Sequence, residues 1–317
     1  MTHRMLVAGG AGFIGSHIVD AALVAGWTVE VLDDLSSGKR RNVPAGVTIH
    51  QLDVRSAEAR TVVATGGFDL LNIQAAQVDV RVSVREPHRD LDVNVLGLVN
   101  LLEGAGTGGV KRVVWASSGG VLYGEAAQLP TPESAPKRPV SPYGVSKLAG
   151  EHILRVLGAL RGFETVALRY ANVYGPRQDP HGEAGVCSIF GARLLRGEPL
   201  TVFGTGDQTR DYVYVGDVAR ANMLALTATL PAADGEADTA AYNVGTGRET
   251  SVLALAGMIG RAVGVSPTIE LAPARAGELE RSTLDSAKAA AQLQWDPAVA
   301  LPAGATALID WMRTEVR

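Results

Sequence analysis

The stretch VAGGAGFIGSH, residues 7–17, sets Gly9, Gly12 and Gly15 at three-residue intervals directly after the apolar run RMLVA (4–8). Each position asks for glycine for its own reason: a tight turn, a close backbone approach to a pyrophosphate, and close packing of a helix on a strand. The helix predicted to open at Phe13 and Ile14 offers unpaired N–H groups and the positive end of its dipole at the same place. A glycine triplet alone is weak evidence, and the flanking pattern is what gives it meaning. A second apolar run, TVEVLD (28–33), ends in Asp33, where a carboxylate can accept hydrogen bonds from a ribose hydroxyl. Asp33 and Asp34 repel a 2′-phosphate, which selects NAD over NADP. Lys39, Arg40 and Arg41 follow closely and are the groups that could hold such a phosphate instead.

Outward from this motif, short runs that read as buried strands continue at 47–53, 69–73, 112–117 and 165–170. Helical stretches at 13–25, 87–105 and 143–160 lie between them. Strict alternation of strand and helix predicts an α/β fold, a doubly wound parallel sheet of Rossmann type covered on both faces. After Asn172 the pattern loosens into glycine- and charge-rich loops, then resumes as a helix at 219–230 and a strand at 241–245. The expected organisation is an NAD-binding domain over 1–175, to which 211–246 returns, and a smaller C-terminal α/β substrate domain in the rest of 176–317. Residues 231–241 read as an exposed connector.

Composition excludes several classes. The net charge of −4 is spread over interspersed acids and bases, so no basic face for nucleic acid is indicated. The longest apolar runs fall far short of the roughly 20 residues that span a bilayer. Glycines interrupt the N-terminal stretch before an apolar signal core can form. Cys187 is the single cysteine and reads as a packing residue, which fits a reducing, cytoplasmic compartment. The six histidines lack metal-ligand spacing, and HGE at 181–183 reads as a solvated loop, so no metal is expected.

A second motif carries chemistry. SPYGVSK (141–147) puts Tyr143 four residues ahead of Lys147, in a chain with 5 lysines against 24 arginines. On a helix the two share a face, about 5.4 Å apart along the axis. A free phenol, with a pKa near 10, is a poor base at neutral pH. A neighbouring ammonium stabilises the phenolate and is expected to pull that value down. A compact ammonium also reaches a sugar hydroxyl in a way that a planar guanidinium does not. A surface pair on an ordinary helix is the plain alternative. The dinucleotide motif upstream and the strand-end hydroxyls of ASSGG (116–120) favour the catalytic reading.

GGAGFIGSH followed by SPYGVSK resembles the extended short-chain dehydrogenases that act on nucleotide sugars. The likeness runs on through DVNVLGLVNLLE, RYANVYGPRQ, GTGDQTRDYVYVGDVA, YNVGTG and ARAGELERSTLD, and so covers essentially the whole chain. Within that family the chain is most similar to the UDP-glucose 4-epimerases. The resemblance implies an NAD-dependent C4 epimerisation of a UDP-sugar through a transient 4-keto intermediate. It makes Tyr143 the base, Lys147 its partner and Ser118 the hydroxyl that orients the sugar. Gly119 competes for that last place when one counts back from YG. Ser37, Gly38, Asp53, Val54, Ala75, Ala76, Gln77, Asn94, Ser117, Tyr170 and Val173 would line the cofactor. Asn172 and Arg210 would meet the substrate, with Arg275 on its diphosphate.

Guanidinium forks match phosphate oxygens, although Arg210 could instead pair with Asp211, and Arg275 with Glu278. Seven residues after Arg275 stands Ser282, whose small side chain would leave room for an N-acetyl group at C2. The resemblance also implies a homodimer through a four-helix bundle, consistent with the surplus apolar surface of 91–102 and 143–160. One departure is NIQAAQ, where Ile73 and Gln74 replace a His-Leu pair common in relatives. Alternatives are a 4,6-dehydratase, for which SSGGVLYG lacks the acid–base pair, and a non-catalytic dinucleotide sensor, which would not need the Tyr/Lys pair.

Overall fold

The computed structural model describes residues 2–180, 185–232, 234–275 and 278–315. The HGE reading at 181–183 therefore lies outside the described residues. The strands are β1 (Arg4–Ala8), β2 (Thr28–Leu32), β3 (Thr48–His50), β4 (Leu70–Ile73), β5 (Arg112–Ser118) and β6 (Glu164–Tyr170). They continue with β7 (Asn172–Tyr174), β8 (Leu200–Phe203), β9 (Thr209–Tyr214), β10 (Ala241–Val244), β11 (Glu249–Ser251), β12 (Ile269–Ala272) and β13 (Arg281–Ser282). The helices are α1 (Phe13–Val24), α2 (Ala57–Thr65), α3 (Val80–Arg85), α4 (Pro87–Leu91), α5 (Gly97–Gly108) and α6 (Gly119–Leu122). After them come α7 (Pro142–Arg161), α8 (Val186–Leu195), α9 (Val215–Thr227), α10 (Val252–Val263), α11 (Ala287–Leu293) and α12 (Leu301–Glu315).

Seven strands form one parallel sheet in the order β10-β6-β5-β4-β1-β2-β3. Strand residues alternate between its two faces. Met5, Val7, Val29 and Val31 pack under α1 and α9, whereas Leu6, Ala8, Leu71 and Trp115 pack under α2, α5 and α7. This is the doubly wound sheet expected, and its chain order reverses between β1 and β4. Ligands in such sheets bind outside the carboxyl ends of the strands at that switch point. A second core joins α8, α10 and α12 to β8 and β9. These helices, and α2, have no counterpart in the reading above.

The helix expected over 87–105 is broken. α4 is followed by a π-helical turn, Asp92–Leu96, and only then by α5. Such single-turn bulges re-aim side chains and recur at functional sites. α7 starts where expected because Ser141 caps it, its Oγ accepting from Gly144 N at 3.1 Å, with Pro142 in the first turn. It stops at Gly162, which sits in the left-handed region at φ 80°.

Candidate active site

The glycine loop leaves β1 and enters α1 under tight constraint. A Cβ on Gly15 would lie 2.1 Å from the Gly9 carbonyl oxygen, and one on Gly9 would meet Ala75 N at 2.5 Å. Gly12 differs, since its nearest neighbour would be the Gly9 oxygen at 3.3 Å. It caps α1 without a side-chain bond, and no acid occupies the first turn. The N–H groups of Phe13, Ile14 and Gly15 are thus left for an anion.

Asp33 is buried and braces the loop, accepting from Ala11 N and Leu35 N at 2.9 Å each. Burial, the largest influence, raises its pKa. Gly38 must be glycine because a Cβ there would lie 2.6 Å from Asp33 Oδ1. Asp34 closes the same turn onto Ser36 N and Oγ, with Ser37 exposed beside it. The basic residues that could have favoured a 2′-phosphate diverge: Lys39 pairs with Asp179 at 3.1 Å and Arg41 with Glu315. These residues fit NAD. Asp53 pairs with Arg55, while Val54, Ala75 and Asn94 line a narrow cleft with Ile73, Gly97 and Trp115.

The carboxyl end of β5 brings the chemistry together. Gly150 lets α7 lie on Trp115, since a Cβ there would be 2.3 Å from the indole. That contact draws Lys147 inward, 2% exposed, with Nζ donating to the Ala116 carbonyl at 2.8 Å. The ammonium lies 4.6 Å from the Trp115 ring centroid and 5.7 Å from that of Tyr143. The Ser118 side chain acts on the Tyr143 phenol, pulling its pKa down, and the Tyr143 backbone N–H donates to Ser83 Oγ at 3.1 Å. Tyr143, Lys147 and Ser118 are therefore one cluster. Gly119 opens α6, and a Cβ there would meet Leu284 at 2.4 Å.

The electrostatics correct one expectation. In the protein alone the Tyr143 phenol is raised, first by burial and then by the charge of Asp90, rather than lowered by the lysine. Burial instead pushes Lys147 down to about 8. Two buried groups that each resist ionisation sit side by side, an arrangement that favours passing a proton.

Other expected residues divide. Ala76 and Val173 are half-buried at the strand ends. Gln77 turns away from the strand ends, its amide bonding Asp90 and the Asp79 carbonyl at 2.9 Å each. Ser117 does not reach a cofactor through its side chain: its hydroxyl donates at 2.5 Å to Glu151, which is held by Arg169. The Tyr170 hydroxyl is likewise engaged, by Asn222 and Gln74. The Ile73-Gln74 departure now has an account. Ile73 fills the core, and Gln74 Nε2 bonds Asn72 at 2.8 Å and both Tyr170 and Asn222 at 3.2 Å.

On the opposite side, β13 runs parallel to β9 and sets Ser282 beside Arg210. Arg210 pairs with Glu278 at 3.3 Å and not with Asp211. Asp211 is buried, accepting from Thr246, Gly247 and Leu284. Arg275 does not pair with Glu278 but stacks on the Phe203 ring at 3.8 Å. Asn172 stands in β7, which also pairs with β9. Sequence reasoning missed Phe203 and Asp90. Phe203 ends a strand that pairs with β12, so no local signal marks it.

A parallel sheet with a glycine-rich β1–α1 turn and a tyrosine–lysine–serine cluster at the carboxyl end of β5 matches a short-chain dehydrogenase type of site. The profile of the NAD dependent epimerase/dehydratase family matches residues 5–245, and the chain belongs to that family. Its sequence is 42% identical to the UDP-glucose 4-epimerase of Mycolicibacterium smegmatis, over 98% of this chain and 99% of that protein. The Thermotoga maritima UDP-glucose 4-epimerase with UDP-glucose superposes with a TM-score of 0.92 at 41% identity, covering 99% of this chain and 100% of that one. A Thermus thermophilus UDP-glucose 4-epimerase in complex with NAD gives 0.90 at 45% identity, over 98% and 99%. Enzymes of that name are isomerases.

Proposed function

We propose that this protein interconverts a UDP-sugar and its C4 epimer with NAD held in the β1–α1 site. The observation that carries the reading is the buried Lys147 ammonium, 5.7 Å from the centroid of the Tyr143 ring, at the carboxyl end of the strand that carries Ser118. NAD, when bound, supplies reversible hydride acceptance at C4. Tyr143 takes the proton from the 4-hydroxyl, Ser118 orients that oxygen, and Lys147 stabilises the phenolate. The 4-keto sugar turns about its link to the diphosphate so that the hydride returns to the opposite face of C4, and Tyr143 gives its proton back to the 4-oxygen. Arg210 and Arg275 are read as the diphosphate grip; Glu278 must release Arg210 for this. A dehydratase would need an added acid and base after Ser118, where Gly119 and Gly120 stand. The test is incubation of the purified protein with UDP-glucose and no added cofactor. UDP-galactose is expected, and its absence together with bound NAD overturns the reading.

Ser282, beside Arg210, supports acceptance of both UDP-glucose and UDP-N-acetylglucosamine. Ser282→Tyr is expected to cut activity on the N-acetyl sugar about ten-fold or more relative to UDP-glucose, since overpacking costs about 1–3 kcal/mol. An unchanged ratio removes Ser282 as the gate. The domain division is read as 1–175 with 211–246 against the rest, supported by β10 pairing with β6. A cytoplasmic setting fits the buried Cys187 thiol, which burial pushes well up. Among the described residues no helix is long and apolar enough to cross a membrane.

A homodimer completes the reading. Val145, Val156 and Leu160 on α7, with Leu96 beside α5, are exposed at helical spacing although apolar. Light scattering is expected to give twice the chain mass at micromolar concentration. A monomer there contradicts the dimer.

A further inference from the structure

Asp90, on α4 just before the π turn, is fully buried. Its Oδ1 accepts from two neutral amides, Gln77 Nε2 at 2.9 Å and Asn94 Nδ2 at 3.1 Å. Its Oδ2 has no hydrogen-bond partner among the described residues. A buried carboxylate oxygen left without a donor is costly unless a positive charge faces it. α4 and the π turn both pack on α7, and Asn94 also reaches Ser146 Oγ, 3.4 Å away on that helix. The acids whose charge reaches Lys147 are Asp90 and Glu151. Glu151 is already engaged by Arg169 at 2.6 and 2.9 Å and by Ser117 at 2.5 Å. Among the described residues Asp90 is held by neutral groups alone, and its Oδ2 is left without a partner.

We propose that Asp90 is the fixed counter-charge that keeps Lys147 an ammonium against Tyr143. This rests on the epimerase reading of the Tyr143–Lys147 pair. Asp90 touches no reacting atom; it is a positioning residue acting through the lysine. Facing Lys147 are the Trp115 ring and Ala116 carbonyl from β5, Asp90 from α4, and Tyr143 and Glu151 from its own helix. The Asp90 charge raises the pKa of the Tyr143 phenol and the Ser118 side chain lowers it. Removing the Asp90 charge therefore has one sign for both groups: Lys147 loses its proton at lower pH, and so does Tyr143.

The chain's 5 lysines make the test direct. NAD-bearing protein labelled with ¹³C at lysine Cε is titrated, and Lys147 is assigned by the resonance lost in Lys147→Arg. In Asp90→Asn the Lys147 midpoint is expected to fall by about one pH unit. The acid and alkaline limbs of the kcat profile should move down with it. A purely structural role would lower activity at every pH without moving the midpoint. An unchanged midpoint in folded, NAD-bearing Asp90→Asn overturns the proposal. Should that variant not fold, the wild type decides. A midpoint near 8 supports the counter-charge, and one of about 5–6, as documented for buried lysines, overturns it. The resonance reports whether or not the enzyme turns over. A shifted midpoint with no epimerisation sinks the function and leaves the counter-charge standing, and an active enzyme with an unmoved midpoint does the reverse.

Discussion

Tyr143→Phe should lower kcat by about 10²–10⁴-fold while the protein still purifies with NAD. The hydroxyl is the group on which Ser118 acts, and the ring beneath it packs beside Lys147. Phenylalanine keeps that packing and removes only the group that moves the proton. The glycine loop and Asp33 lie at other strand ends, so the cofactor should stay bound. Turnover and bound NAD, measured on one preparation, check the prediction. Near-full activity in Tyr143→Phe would leave the cluster without its assigned chemistry.

Gly15→Ala should cost the protein its bound NAD. A methyl group there would sit 2.1 Å from the Gly9 oxygen and 2.8 Å from the Gly9 carbonyl carbon, both backbone atoms. Either α1 lifts off the loop or the loop turns, and both move the free N–H groups away from the pyrophosphate. Overpacking of this kind costs about 1–3 kcal/mol in stability, occasionally more. The expected result is protein that folds with a lowered Tm and carries less than about a tenth of the wild-type NAD, given 1.4 kcal/mol for each factor of ten. Absorbance of the extract from denatured protein measures it. Full NAD occupancy would mean that the loop does not grip the phosphates as argued.

The central sheet was legible because buried parallel strands are near-continuous apolar runs, and β1 to β6 all fall where such runs were read. α1 and α7 were legible from glycine placement and from the Ser141-Pro142 cap. Less legible was anything decided by distant contacts. The π turn at Asp92–Leu96 inserts one residue without altering helix-forming composition, so 87–105 read as unbroken. Asp90 sits among Arg85, Glu86, Arg89 and Asp92, a run that reads as solvated; only packing on α7 buries it. The resemblance assigned Ser118 to the sugar and Ser117 to the cofactor, but nothing local showed where either hydroxyl goes. Their difference depends on Glu151, 34 residues from Ser117, which holds one hydroxyl inside the protein. The tyrosine–lysine spacing was visible, whereas its electrostatics were not, because burial outweighs the ammonium in the protein alone.

The claim that the sugar is oxidised and reduced again at C4 without leaving the site is tested most directly by isotope. UDP-[4-²H]glucose is incubated with the purified protein in ordinary water, without added cofactor, and the UDP-galactose formed is examined by mass spectrometry and NMR. The account predicts that deuterium is retained at C4 of the product. Loss of the label to solvent, with hydrogen at C4 of UDP-galactose, would contradict it.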